Sequence, residues 1–177
     1  MDAGIAALLG AVVGGLLGAG GTLGAAALTA RTQGQSQHAQ WRREGRRNSY
    51  SAFIATVKAH QTAADDLMSL MDEVPLHQTR IAAALERVKS LLPAVSSAAP
   101  VIAVEGPADM GAIAEQIARH AENLTVCLEL WMSEVPSGSG QPSTFANMAH
   151  GHIVDINRRL DNYTALARAA LDATDRV

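Results

Sequence analysis

Hydrophobic and polar positions fall into two regimes along this chain: an unbroken apolar run at its start, then four periodic stripes. From Ala3 to Ala30 no side chain is charged, and Asp2 and Arg31 bound the run. As a helix its 28 residues would span roughly 42 Å, more than the ~30 Å hydrocarbon core of a bilayer. The run therefore predicts a single transmembrane helix, tilted or with one end emerging. Residues 31–40 (RTQGQSQHAQ) are polar and contain Gly34, which suits a hinge or a solvated extension.

Beyond that point apolar residues recur every three or four positions, the spacing of one helix face. The first stripe is Tyr50, Phe53, Ile54, Val57, Ala64, Leu67, Met68 and Met71, a helix starting near Gln40 and ending before Pro75. The second is Ile81, Leu85, Val88, Leu92 and Val95, with Pro93 expected to kink or end it. The third opens at Gly106-Pro107, where proline suits the first helical turn. It continues through Met110, Ile113, Ile117, Ala121, Leu124, Leu128 and Trp131. A loop over 137–142 follows, then a fourth stripe capped by Ser143: Phe145, Met148, His152, Ile153, Ile156, Leu160, Tyr163, Leu166 and Ala170. Residues 101–104 (VIAV) look strand-like but have no partner strand, so they are expected to be an extended linker packed on the bundle.

No stripe can be buried by its own helix, and four of them close most simply as an antiparallel bundle. The fold class is all-α. The expected division is a transmembrane anchor over 1–31, a polar juxtamembrane linker over 32–40 and a cytoplasmic helical bundle over 41–177. Composition agrees: aromatics make up only 3% of the chain, and alanine and leucine favour helices over strands.

Charge orients the anchor. Residues 31–47 carry a net +4, whereas everything from Asn48 onward carries a net −6. A basic collar beside an apolar helix, followed by an acidic domain, points to membrane topology and not to nucleic acid. All flanking positive charge lies C-terminal to the run, which places the N-terminus outside and the large domain in the cytoplasm, at the inner (plasma) membrane. Ala25 and Ala27 offer small residues for cleavage, but a secretory signal needs a basic start and a shorter core, so the run reads as a retained anchor. Cys127 is the only cysteine, which excludes an internal disulfide, a lipoprotein anchor and a Cys-rich zinc site.

The anchor holds eight glycines and nine alanines. Its nine Leu, Ile and Val residues supply about −3 to −5 kcal/mol of insertion energy. Gly10, Gly14 and Gly18 form a GxxxGxxxG series of the kind that lets membrane helices pack closely. Self-association through these three glycines is one reading, and a composition biased toward small residues is the other.

Candidate chemistry is thin. His150 and His152 are two apart, so on a helix they diverge and cannot share a metal. His120 and Cys127 lie two turns apart with no orienting carboxylate, and Cys127 reads as a small buried hydrophobe. Asp65-Asp66 and Asp72-Glu73 are adjacent pairs that diverge on a helix and read as a solvated face. Asn123-Leu-Thr125 and Asn162-Tyr-Thr164 match the glycosylation triplet but fall inside predicted helices. No catalytic residue, cofactor site or metal site is assigned, and an enzyme is not expected. Arg42, Arg43, Arg46 and Arg47 form a basic juxtamembrane patch beside Trp41. On a straight helix they would stand roughly 16–24 Å beyond the membrane boundary, past the ~8 Å Debye length. They reach anionic lipid only if the chain bends near Gly34.

The run Trp41-Arg-Arg-Glu-Gly-Arg-Arg-Asn-Ser-Tyr50-Ser-Ala-Phe53 after a Gly/Ala-rich anchor resembles a broad group of short actinobacterial single-pass membrane proteins of unknown function. Their W-R-R-x-x-R-R-x-x-Y-x-x-F run is often followed by an E-G-P turn, as at Glu105-Gly-Pro107, and by a late A-R-x-A-L, as at Ala167–Leu171. The resemblance implies location and architecture, and supplies no site residues. The expectation is a single-pass, membrane-anchored interaction or scaffold protein, with the bilayer, a second copy and an unidentified protein as partners. The competing reading is an oligomeric, membrane-active or pore-type component built on the Gly-rich helix. Thr22 and Thr29 are the only polar side chains available to line such a pore.

Overall fold

The computed structural model describes residues 40–73, 76–134 and 144–173. The apolar run with Gly10, Gly14 and Gly18, the linker as far as residue 39, the 137–142 loop and the Ser143 cap lie outside them. The described residues form four helices and no strand: α1 (40–71), α2 (Gln78–Glu105), α3 (Ala108–Glu134) and α4 (Thr144–Ala173). The chain divides into two units, Met1–Glu44 and Gly45–Val177. Of the first, residues 40–44 are described, and all are helical and exposed. The second is the helical bundle.

Side-chain pairings give the helix directions. Asp66 of α1 faces Arg87 of α2 at 3.8 Å, and Glu73, two residues past the end of α1, meets Arg80 of α2 at 3.0 Å. Between α2 and α3, Lys89 meets Glu129 at 3.2 Å and Ser96 meets Glu122 at 3.1 Å. Gln116 and His120 of α3 meet Arg159 and His152 of α4, and Phe53 and Gln61 of α1 meet Tyr163 and Asn157 of α4. In each set one residue number falls as the other rises, so each of these helix pairs is antiparallel. The four helices close into a ring whose neighbours all run oppositely.

The predicted stripes line the core. Phe53, Val57, Leu67, Val88, Met110, Ile117, Leu124, Leu128, Ile156 and Tyr163 are almost fully buried. Each of them except Tyr163, which also buries a hydroxyl, contributes roughly 1.5–3 kcal/mol of transfer free energy. Met148 departs from its stripe: it is 47% exposed, and Ala149 beside it is buried instead.

One expectation about α2 is overturned and another is narrowed. Of the two outcomes expected at Pro93, a kink or an end, the helix does not end there and runs through both Pro93 and Pro100. Both prolines are exposed, so the carbonyls left without an N–H partner one turn earlier can be hydrated, and the bundle holds the helix together. Residues 101–104 are not an extended linker but the last turn of α2, with Ile102 buried and the Gly106 N–H donating to the Ile102 carbonyl at 2.9 Å. β-Branched composition misled there, because one inward Ile on an amphipathic turn is enough to hold it helical. Pro107 lies just before α3, and its carbonyl accepts from the N–H groups of Met110 (2.9 Å) and Gly111 (3.2 Å). The connection is short because small residues let the helices touch. A Cβ on Gly111 would stand 2.8 Å from the Ala103 Cα.

By length and apolar composition α2 could also cross a membrane. In the bundle it buries Ile81, Leu85, Val88, Val95, Ala99 and Ile102, and Ala84, Leu91, Leu92 and Ala98 are partly buried against the same core. From Ser90 to Val104 it carries no charge, although Pro93, Ala94, Ser97, Pro100, Val101, Ala103 and Val104 face outward.

Candidate functional site

Among the described residues, polar side chains of different helices meet at several places, and four of these lie in or against the core. Innermost is His60, 1% exposed, whose Nε2 lies 3.1 Å from the Thr125 Oγ1. The Thr125 hydroxyl has one proton and donates it to the Ala121 carbonyl at 3.0 Å, so it accepts from His60 Nε2–H. That fixes the tautomer and leaves His60 Nδ1 buried without a partner. Burial holds this imidazole below its ordinary range, because a charged ring there would have an Nδ1–H with nothing to receive it. The first stripe contained a hint: Val57 and Ala64 are seven positions apart, and His60 stands in that gap.

Beside it, the Gln61 amide donates to the Asn157 Oδ1 at 3.1 Å, tying α1 to α4. Near the start of α1, Tyr50 packs edge-on against Tyr163 and Phe53 lies tilted against the same ring. Both tyrosine hydroxyls and one oxygen of Glu105 are buried without partners. Burial raises both phenols, and the Glu105 charge adds to this at Tyr50 while Arg46 opposes it.

The fourth crossing joins α3 to α4. His120 Nδ1 and His152 Nδ1 are 3.1 Å apart, and Arg159 Nη1 donates to Gln116 Oε1 at 2.6 Å one turn away. Both histidines are half-buried. Burial and the Arg159 guanidinium lower His120, Asp155 opposes that shift, and His152 and Arg119 add smaller effects in the lowering direction. Sequence spacing could not reveal this pair, since its members are 32 residues apart and on different helices.

The residues singled out by sequence are dispersed. His150 turns its Nδ1 to the Ala146 carbonyl, away from His152. Cys127 is buried and its thiol is pushed up by that burial, which suppresses the thiolate a nucleophile needs. Asp66 and Glu73 pair with Arg87 and Arg80 across an open groove of about 510 Å³ between α1 and α2. Asn123 and Asn162 are exposed on α3 and α4. Arg42, Arg43, Arg46 and Arg47 are all exposed on α1, and Trp41 is 75% exposed beside them. Among the described residues no three His, Cys, Asp or Glu side chains are grouped to hold a metal.

These crossings can fix helix register and respond to protons; where a hydroxyl meets an imidazole, at Thr125 and His60, the ring donates and is not placed as its base. Comparison with protein-family models, with curated proteins and with solved structures finds no match for this chain.

Proposed function

We propose that this chain is a membrane-tethered interaction module, with residues 3–30 as the anchor, the bundle cytoplasmic and the outer face of α2 as the surface that meets a protein partner. The observation that carries the reading is the uncharged stretch of α2. Val104 is 86% and Val101 44% exposed, and exposed prolines, alanines and a serine continue that face. Contiguous apolar surface on a folded domain marks a place where another surface is covered.

A photo-crosslinking side chain at Val104 tests it against one at Arg168, an exposed charged position on α4. A discrete adduct in the native membrane at Val104 alone supports the reading; none at either site, or equal labelling at both, refutes it.

The length and composition of α2 favour a second reading, in which it is itself a span. Arg80, Glu86, Arg87 and Lys89 in its first half, and its six buried residues, argue against that. Topology separates the two. With the anchor alone, a C-terminal fluorescent fusion glows and an alkaline phosphatase fusion is inactive; with α2 also spanning, the pair of results reverses.

A further inference from the structure

We propose that His120 and His152 form a two-histidine site for a borderline divalent ion of the zinc class. Two ring nitrogens from different helices converge here, their centroids 5.3 Å apart and the rings tilted by 57°. The Nδ1 separation is 3.1 Å. With Zn–N bonds of about 2.05 Å, two ligands at that spacing subtend about 98° at the ion, and a tetrahedral angle needs them only about 0.2 Å further apart. Small ring movements supply that difference. Both rings are half-buried, and water must fill the remaining positions because no third His, Cys, Asp or Glu joins them among the described residues.

Without an ion, one Nδ1 donates to the other, so two neutral rings hold opposite tautomers. Binding moves the donor's proton to its own Nε2 through solvent and leaves both Nδ1 lone pairs on the metal, with no net proton released from the neutral pair. At acidic pH protons compete with the ion. Arg159 and Arg119 favour neutral imidazole, which frees the lone pairs, but they also repel a cation; Asp155 offsets that repulsion. Imidazole ligands suit zinc, copper and nickel over magnesium or calcium.

The test uses the full chain in detergent micelles, carrying no oligohistidine tag, with zinc chloride as the probe at neutral pH. Calorimetric titration should give one ion per chain. Zinc at about 100 times its dissociation constant should raise the melting temperature by about 5 °C or more, because the unfolded chain does not hold the two rings together. His120→Gln and His152→Gln should each weaken binding at least tenfold, about 1.4 kcal/mol, while His150→Gln should not. Zinc should also protect His120 and His152 of the parent chain from diethyl pyrocarbonate, a readout that needs no variant to fold. Absence of binding by the parent, unchanged binding in His120→Gln, or equal modification of both rings with and without zinc would overturn the assignment.

Discussion

Acid should loosen this bundle through His60, and His60→Leu should remove that sensitivity. The ring is buried, its Nε2–H is committed to Thr125 and its Nδ1 has no partner. In the unfolded chain the group returns to its ordinary value of 6.5, whereas burial depresses it in the folded state. Above 6.5 both states are neutral and the fold keeps its full stability. As pH falls below that value the unfolded state binds a proton that the folded state resists. Stability then drops by up to about 1.4 kcal/mol per pH unit. Two units of acidification cost at most about 2.7 kcal/mol, equivalent to roughly 5–10 °C in melting temperature.

Leucine has a similar volume and does not titrate. At neutral pH the substitution loses one hydrogen bond, worth about 1 kcal/mol, and relieves an unpartnered nitrogen costing about 1–3 kcal/mol. Thr125 keeps its bond to the Ala121 carbonyl. The variant should therefore be as stable as the parent, or slightly more so, near neutrality, and increasingly more stable in acid. Thermal melts followed by circular dichroism from about pH 7.5 to about pH 4.5 measure this difference. His120 is depressed as well and contributes acid lability of the same sign, but it is common to both proteins and cancels in the comparison. Equal acid losses in parent and variant would refute the argument.

Gly151 and Gly111 should respond oppositely to alanine. A Cβ at Gly151 meets nothing within 4 Å, so Gly151→Ala should stabilise α4 by about 0.5–1 kcal/mol. Gly111→Ala should destabilise by about 1–2 kcal/mol despite its helix propensity, because its Cβ would lie 2.8 Å from backbone of α2. Melts of the two variants check the signs. Ile156→Ala and Leu85→Ala should each cost about 2–5 kcal/mol, since both side chains are buried in the core; no change in unfolding midpoint for either would contradict the bundle. Tyr163→Phe should be neutral or mildly stabilising, as it removes a buried hydroxyl without a partner; a loss above about 1 kcal/mol would mean that the hydroxyl is bonded.

The helical class and most of the core were legible in the sequence. A three- and four-residue apolar period has one low-energy solution, a helix with one buried face, and Phe53, Leu67, Ile117, Leu128 and Ile156 follow from it directly. The same local logic failed at residues 101–104, and at Pro93 it left open whether the helix ended. There local preference favours an extended or broken chain, and packing of Val95, Ala99 and Ile102 keeps it helical. Polar partners were beyond reach for a different reason. Periodicity reports which way a side chain faces along its own helix, but not which residue waits on the neighbouring one. His60 could be placed inward from the gap in its stripe; that it meets Thr125, or that His120 meets His152, depends on the register between helices. Register is set by the sum of contacts along four helices, and only the tertiary structure decides it.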